Sequence, residues 1–435
     1  MDLKNEELEE RAAIMEVDGG LTREEAELAA MAPAEPVQEA QGLEINSSFL
    51  SLWSNSISLA TDAPKPLVLF AGIGLLSALC HKFYFYAARP TYCNLFLFIL
   101  GPSSSSRKTT VLDMVSDYVG EVDPGLILPN EFTPEALFTC LSKKNHGIIF
   151  SRELNLWLDQ MLTKDYNRGL GSTLGNIYDH VKVITRETKR DGLLTIYDPV
   201  VTILGAGVDE YLIEHLKEID LISGFWPRVT LVRLPPQPAN KEYKAPGRFV
   251  TNPFILEKLR AIASKDGGEI RYEKIESLRQ TYAVSLYQEA SELKNNNLAS
   301  AYSRLEWILV KFAALLEIAD NPDSREVSLD AFNDAVKLVD YVKRQLPDFY
   351  GEHIRPVAEE KLAGQIFDFI QKRDQDGTVW VPYRRILQNV HADTGKVKTA
   401  ILRLLEVEEC EQADIPSTKL GGRPGKAYRS IKQDE

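Results

Sequence analysis

NLFLFILGPSSSSRKTT, residues 94–110, places an apolar run, a Gly-Pro-Ser stretch and the basic pair Arg107-Lys108 in immediate succession. The run at 94–100 is typical of a parallel strand that is buried on both faces. Residues 109–118 then predict a helix. A loop between a buried strand and a helix N-terminus is where backbone N–H groups and the helix dipole favour a phosphate. The stretch therefore predicts an α/β fold built around a phosphate-binding loop.

Three further apolar runs predict the remaining strands of the same sheet. They lie at residues 147–150, 200–204 and 228–234, with helical sequence between them. Short buried strands that alternate with helices are typical of a mostly parallel α/β sheet. The most apolar run, 67–80, is shorter than the ~20 residues needed to span a bilayer, so we expect a buried core helix and no membrane contact.

Lys108 and Thr109 are the central candidates for binding ATP and Mg²⁺. A lysine at this position can reach the β- and γ-phosphates, and the following hydroxyl can ligate Mg²⁺. The usual glycine before the lysine is replaced by Arg107, so its freedom in φ is lost. A Ser-rich strand-to-helix turn with a cationic tip is the alternative. The predicted ligand-binding residues are Gly101, Ser105, Ser106, Arg107, Lys108, Thr109 and Thr110.

Glu153 and Arg228 are the candidates for catalysis. Glu153 ends the second strand, where an acid can activate water, although Arg152 stands at the expected preceding aspartate. Glu153 can equally be a helix-capping acid. Arg228, just before the last core strand, is predicted to stabilise charge on a γ-phosphate, in cis or across a subunit boundary; a structural salt bridge is its alternative. Arg304 is a candidate second phosphate sensor or a surface arginine.

The third strand predicts a weaker feature. It ends in Gly205-Ala-Gly207 without the Asn or Thr that often senses phosphate there, and Asp209 is only a weak substitute.

The distribution of charge and cysteine bounds the class of protein. The net charge of −13 is concentrated at the amino end, where residues 1–45 hold thirteen acidic and three basic residues, so the rest can still carry basic patches. The four cysteines form no C-x-x-C pair, which favours a reducing, cytoplasmic location without a zinc site.

The sequence predicts five segments. They are an acidic helical hairpin (1–32), a linker (33–44), the α/β core (45–235), a helical lid (236–355) and a C-terminal domain (356–435).

Two segments predict contact with DNA. The order of helices and strands after residue 359, with a Gly-rich turn at 421–425, is typical of a winged helix. Many such domains bind proteins instead, and a basic run at 182–190 can also be a solvated loop. The candidate DNA-binding residues are Lys182, Arg186, Lys189, Arg190, Lys396, Lys398, Arg403, Arg423 and Lys426.

Four segments together resemble a P-loop family of phages and mobile elements, a domain of unknown function that is found with or fused to primases. They are Gly101-Pro-Ser…Arg107-Lys108-Thr109, Ile149-Phe-Ser-Arg-Glu153, Pro199-Val-Val-Thr-Ile-Leu-Gly205 and Ser223-Gly-Phe…Arg228. Ser303-Arg304-Leu-Glu306, followed by residues 327–332, is similar to the lid of minichromosome-maintenance-type helicases, which also end in a winged helix.

The resemblance implies a RecA/AAA+-like P-loop NTPase core with a helical lid and a C-terminal winged helix. It implies an ATPase of helicase or primase–helicase type in the replication of a phage or mobile element, with DNA, a primase or another replication protein, and a homo-oligomeric ring as expected partners. Two alternatives stay open. One is a catalytically inactive scaffold that binds DNA through the winged helix; the other is a regulatory ATPase switch in transposition or phage defence.

Overall fold

The structure of the chain is a computed structural model. It describes residues 43–102, 106–130, 132–155, 157–158, 170–188, 192–209, 212, 225–235, 248–293, 295–350, 356–374, 379–390, 392, 394–406, 410–415 and 425–431. The predicted hairpin at 1–32, and all but the last two residues of the predicted linker at 33–44, lie outside these ranges.

The elements are numbered in chain order. The strands are β1 (Phe83–Tyr86), β2 (Pro90–Tyr92), β3 (Phe96–Leu100), β4 (His146–Ser151), β5 (Val183–Thr188), β6 (Gly192–Tyr197), β7 (Val200–Gly207), β8 (Val229–Arg233), β9 (Gly268–Glu269), β10 (Val381–Pro382), β11 (Cys410–Ile415) and β12 (Gly425–Ser430). The helices are α1 (Ser48–Ala60), α2 (Lys65–Leu79), α3 (Lys108–Val122), α4 (Pro134–Lys143), α5 (Leu170–Tyr178), α6 (Pro253–Ala263), α7 (Glu276–Glu292), α8 (Asn296–Asp320), α9 (Leu329–Lys343), α10 (Leu346–Tyr350), α11 (Pro356–Arg373), α12 (Tyr383–Val390) and α13 (Thr394–Glu406).

A parallel four-stranded sheet lies at the centre, with the strand order β4-β7-β3-β8. Leu100 at the end of β3 is opposite both Gly207 of β7 and Arg233 of β8, so the three strands end together. The four strands expected from the apolar runs are confirmed, and so is a mixed α/β fold with a parallel sheet. The loops that follow these strands therefore meet at one edge, which we call the carboxyl edge.

Apolar side chains cover both faces of this sheet. On one face, Gly74 of α2 lies against Leu97 and Leu204. On the other, the rings of Phe96 and Phe98 contact Tyr178 and Phe225, with centroids 5.0 and 6.2 Å apart. Burial on both faces explains why the strands read as continuous apolar runs instead of alternating ones.

Helix α2, the most apolar segment, is buried along nearly its whole length, as expected for a core helix. Among the residues that the structure describes, no helix combines the length and the apolar character that crossing a membrane requires.

A β-hairpin occupies the position of the predicted basic loop. Strands β5 and β6 pair antiparallel between α5 and β7, and residues 189–191, which connect them, lie outside the described ranges. Ile184 and Ile196 are opposite each other on its buried face. The charged and Thr-rich sequence of β5 concealed this strand from an analysis of apolar periodicity.

Helix α8 lies deeper in the protein than its sequence pattern indicates. An apolar stripe predicts one buried face, but Val310, Ala313 and even Lys311 are also buried. The Lys311 ammonium donates to the main-chain oxygen of Asn94 at 2.7 Å and to its side-chain oxygen at 3.0 Å. Burial lowers the pKa of Lys311 to about 7. This helix of the predicted lid thus packs against the residues that lead into β3.

Two aspartates fix the start of α1. The buried Asp334 carboxylate accepts the backbone N–H groups of Asn46 at 2.7 Å and Ser47 at 2.9 Å. Asp320, at the end of α8, accepts the N–H of Phe49 at 2.8 Å. Backbone donors at a helix N-terminus have no partner within the helix, so these carboxylates satisfy them and complement the helix dipole.

Two stacked histidines are expected to make the protein less stable in acid. The rings of His81 and His146 lie 4.2 Å apart. Burial, followed by the neighbouring charge of His146, lowers the pKa of His81 to about 4, and burial also lowers that of His146. Below pH 6.5 the unfolded chain binds a proton at position 81 that the folded protein does not, so stability falls as the pH drops toward 4.

The measurement is urea unfolding at pH 7 and pH 5, for the wild type and for His81→Leu. We expect the wild type to lose about 2 kcal/mol more than the variant over this interval, because the variant has no proton to bind at position 81. Equal losses in the two proteins would contradict this origin of the acid sensitivity.

The C-terminal residues form a small unit with its own core. Helices α11, α12 and α13 pack around a sheet of order β10-β12-β11, and its central buried side chains include Ile366, Ile370, Ile386 and Val397. The buried Asp374 accepts the N–H of Val379 at 2.7 Å and ties α11 to the sheet. The predicted helices at 359–373, 383–390 and 394–405 are confirmed within a few residues.

Candidate active site at the carboxyl edge of the sheet

The loop after β3 begins at a glycine that the packing requires. A Cβ on Gly101 would lie 2.9 Å from Cβ of Leu234, so no side chain fits there. Ser106 is fully buried, and its hydroxyl donates to the carbonyl of Pro102 at 2.9 Å. Ser106 thus closes the loop internally instead of facing a ligand. Ser105 lies outside the described residues.

Arg107 adopts the backbone conformation that the replaced glycine would favour. Its φ of 57° and ψ of 23° are left-handed, immediately before α3 begins. Its Nε donates to Oδ1 of Asp62 at 2.8 Å, which ties the loop to the segment after α1. The expected loss of the glycine conformation therefore does not occur, although an L-residue pays about 1–2 kcal/mol for it.

Substitutions at Arg107 test this strain. Arg107→Gly and Arg107→Ala both lose the ion pair, but only glycine relieves the left-handed backbone. We expect the free energy of unfolding in urea to be about 1 kcal/mol higher for Arg107→Gly than for Arg107→Ala. Asp117, exposed within α3, is the matched control. There Asp117→Gly should be less stable than Asp117→Ala by about 1 kcal/mol, because glycine is unfavourable inside a helix. The same order at both positions would contradict a strained Arg107.

Lys108 and the two threonines form one wall of a cavity of about 360 Å³. The Lys108 ammonium donates to the carbonyls of Gly101 and Pro102, both at 2.7 Å. A bound phosphate would therefore compete with the loop's own carbonyls for this ammonium group. Thr109 is exposed and Thr110 half-buried at the first turn of α3.

Glu153 lines the same cavity. It follows β4 and is exposed, and the neighbouring Arg152 lines the cavity as well. The Arg152 guanidinium pairs with Asp113, which links the turn after β4 to α3. The structure thus brings together Arg107, Lys108, Thr109, Thr110 and Glu153, all of which the sequence analysis proposed for one site.

Asn155 supplies a polar residue where β7 appeared to lack one. Its Oδ1 accepts the N–H of Val208 at 3.1 Å, and its Nδ2 donates to the carbonyl of Val208 at 3.3 Å. A Cβ on Gly207 would lie 2.6 Å from that Oδ1, so glycine is needed for the close approach. Asn155 lines the cavity at the end of β7 but comes from the turn after β4, which sequence order could not reveal.

Arg228 and Arg304 do not reach this cavity. Arg228 precedes β8, and β8 begins opposite Phe96, so it lies at the amino edge of the sheet. Five residues of strand, about 15 Å, separate the two edges. Arg228 Nε donates to Asp179 Oδ1 at 3.1 Å, and Arg304 lies 3.5 Å from the same oxygen. The expectation that Arg228 acts in cis does not fit this geometry, whereas its alternative, a structural salt bridge, does. The phosphate-sensor role of Arg304 does not fit this geometry either.

Arg233 is a further arginine at the carboxyl edge. It ends β8, and its Nε donates to Asp209 Oδ2 at 2.7 Å. Because Leu100 lies between their strands, this ion pair passes over the end of β3. Asp209, considered as a substitute sensor, is thus held by Arg233. Arg233 could not be identified from the sequence, because nothing in an RVTLVRL strand distinguishes its second arginine from its first.

The candidate DNA-binding residues of the hairpin differ in their exposure. Lys182 is exposed at its base. Arg186 pairs with Glu135 of α4 and lies 5.5 Å from the centre of the Phe138 ring, so it anchors the hairpin. Lys189 and Arg190 lie outside the described residues.

The C-terminal unit carries exposed cations on two adjacent helices. Lys396 and Lys398 are exposed on α13, and Lys426 is exposed on β12. Arg384 and Arg385 on α12 are exposed as well and were missed, since they stand outside the predicted recognition helix. The side chain of Arg403, and Arg423 entirely, lie outside what the structure describes.

The cavity suits a phosphate ester with Mg²⁺ in its residue types. Mg²⁺ in proteins keeps several waters and binds one or two side-chain oxygens in addition to substrate phosphates, and the hydroxyl of Thr109 can supply one. The volume of the cavity also lies in the usual range of small-molecule sites.

Searches of protein-family models and of curated proteins find no match to this chain.

Proposed function

We propose that this protein binds ATP with Mg²⁺ at the carboxyl edge of the sheet and uses ATP hydrolysis to act on DNA. The observation that carries the proposal is the cavity itself: it joins Lys108 and Thr109, which follow β3, with Glu153, which follows β4. Glu153 is 45 positions after Lys108 in the sequence, and the fold brings the three residues to one cavity.

The strand order supports a RecA/AAA+-like P-loop core. In open α/β sheets, ligands bind beyond the carboxyl ends of the strands, where successive connections leave in opposite directions. Here β3 lies between β7 and β8, and the strand that carries Glu153 lies beyond β7. Within the same proposal, residues 236–355 correspond to a helical lid and residues 356–435 to a winged-helix domain.

Three of the cavity residues have defined roles in this proposal. Lys108 and the first N–H groups of α3 bind the phosphates, because the helix N-terminus favours an anion. Thr109 contributes to holding Mg²⁺, which neutralises charge on the phosphates when bound. Glu153 accepts a proton from the attacking water. Arg228 retains a catalytic role only across a subunit boundary.

The basic surfaces support DNA as the partner. Exposed Lys396 and Lys398, with Arg384 and Arg385 nearby in sequence, provide cations that can neutralise backbone phosphates. The hairpin of β5 and β6 adds exposed Lys182. Replication of a phage or mobile element is the setting that the resemblance suggests.

The decisive experiment is phosphate release from ATP and Mg²⁺, with and without single-stranded DNA. We expect DNA-stimulated turnover in the wild type and its loss in Lys108→Ala. Lys396→Glu combined with Lys398→Glu should retain basal turnover but lose the stimulation, because two phosphate contacts reverse sign. Turnover no higher in the wild type than in Lys108→Ala would overturn the enzymatic proposal.

A catalytically inactive DNA-binding scaffold is the second candidate. It is favoured by the Lys108 ammonium, which already bonds two carbonyls of its own loop, and by Arg152 at the position of an expected aspartate. It predicts DNA binding through the C-terminal unit with an affinity that ATP does not change. A regulatory switch would instead bind ATP, hydrolyse it slowly, and bind a partner through residues 1–32.

A further inference from the structure

A second cavity lies beside the phosphate-binding loop. It has a volume of about 410 Å³ and is bounded by the end of α1, with Ser56, Leu59 and Ala60, and by residues 248–254, which lead into α6. No role in the proposed hydrolysis uses these residues.

Apolar side chains stand unusually exposed around this groove. Leu59 is 77 % exposed, Val250 68 % and Phe254 69 %. Single exposed apolar residues are common on protein surfaces, but three around one concavity form a patch of the kind that marks a binding site. The groove therefore suits a ligand that presents an apolar surface to these side chains.

The ion pair of Arg107 connects the groove to the phosphate-binding loop. Arg107 Nε bonds Asp62 Oδ1 at 2.8 Å, and Asp62 is two residues beyond Ala60 in the wall of the groove. Two residues of backbone span at most about 7 Å. One end of the groove is therefore next to the residue that precedes Lys108.

Helix α3 supports both cavities. Its first turn carries Lys108 and Thr109, while its third and fourth turns hold the far wall of the groove: the Tyr118 hydroxyl accepts the N–H of Asn252 at 2.7 Å, and Thr251 donates to Glu121 at 2.6 Å. Ten residues of helix place this wall about 15 Å from the loop. A nucleoside triphosphate in an extended form covers a comparable span.

We propose that this groove binds the adenine base of the nucleotide whose phosphates occupy the loop, with Leu59, Val250 and Phe254 against its faces. The proposal rests on the proposed function. Its reason is continuity: the groove and the loop lie on one helix and share the Arg107–Asp62 connection. Apolar and aromatic side chains stabilise a planar base by stacking and by removing its faces from water.

The experiment compares two probes on the full chain by calorimetry: ATP, and inorganic tripolyphosphate, which has the phosphates but no base. Leu59→Ser combined with Phe254→Ser is expected to weaken ATP binding about tenfold and to leave tripolyphosphate binding unchanged. Leu278→Ser, which replaces an exposed apolar residue of α7, is the matched control and should change neither affinity. Lys108→Ala should weaken both probes.

The outcomes separate this proposal from the proposed function. Unchanged ATP affinity in the double variant overturns the base site, even if Lys108→Ala abolishes binding of both probes. An equal loss of affinity for both probes also overturns it, because the groove residues would then affect binding only by changing the phosphate-binding loop. If the wild type binds neither probe, the proposed function fails and the base site fails with it. Selective loss of ATP binding is the supporting result.

Discussion

Glu153→Gln is expected to lower ATP turnover by about 100-fold or more while ATP binding is retained. The reason is that the amide keeps the size and hydrogen-bonding shape of the carboxylate but cannot accept the proton of the attacking water. Glu153 is exposed and lines the cavity that Lys108 also lines, so the substitution disturbs no buried contact. Phosphate release and ATP affinity, measured on the same preparation, give the result.

Glu292→Gln is the control for this prediction, since Glu292 is exposed at the end of α7 and does not line the cavity. It should leave both turnover and affinity unchanged. Turnover within a fewfold of the wild type in Glu153→Gln would mean that another group activates water. A helix-capping role for Glu153 would then be the better interpretation.

Asp334→Ala is expected to lower the free energy of unfolding by about 3 kcal/mol. The carboxylate is buried and accepts the N–H groups of Asn46 and Ser47, and it also pairs with Lys337 at 2.9 Å. Alanine would leave backbone donors at the start of α1 without an acceptor. Urea unfolding at pH 7 measures the effect.

Asp330→Ala on the same helix is the matched control. Asp330 is exposed in the first turn of α9, where a carboxylate contributes only through the helix dipole. We expect it to cost less than about 1 kcal/mol. Similar losses in the two variants would show that Asp334 acts through its helix and not through residues 46 and 47.

The strands of the central sheet could be predicted because each is buried on both faces. Burial makes β3 and β7 continuous apolar runs, and such runs between helices have few other interpretations. The residues of the proposed phosphate-binding loop could be predicted to lie together for a similar reason, since they are adjacent in sequence. Lys108 and Thr109 lie together in any fold that places a helix after β3.

Other parts of the site depended on packing between distant segments. Asn155 reaches β7 from the turn after β4, and Arg233 reaches Asp209 across β3. Lys311 is a charged residue in an apolar helix, and nothing in the periodicity of that helix indicates that it is buried. Its burial follows from Asn94, which lies 217 residues away and offers two oxygen acceptors.

The sequence by itself determined the α/β class, the order of strands along the chain and the adjacency of Arg107, Lys108 and Thr109. These properties depend on local periodicity and on neighbours in the chain, which a sequence contains directly. Only the tertiary structure decided that β7 lies between β3 and β4, that Glu153 and Lys108 line one cavity, and that Arg228 lies at the opposite edge. Strand order and contacts between distant side chains depend on which buried surfaces pack together. That packing is a cooperative property of the whole core and not of any one segment.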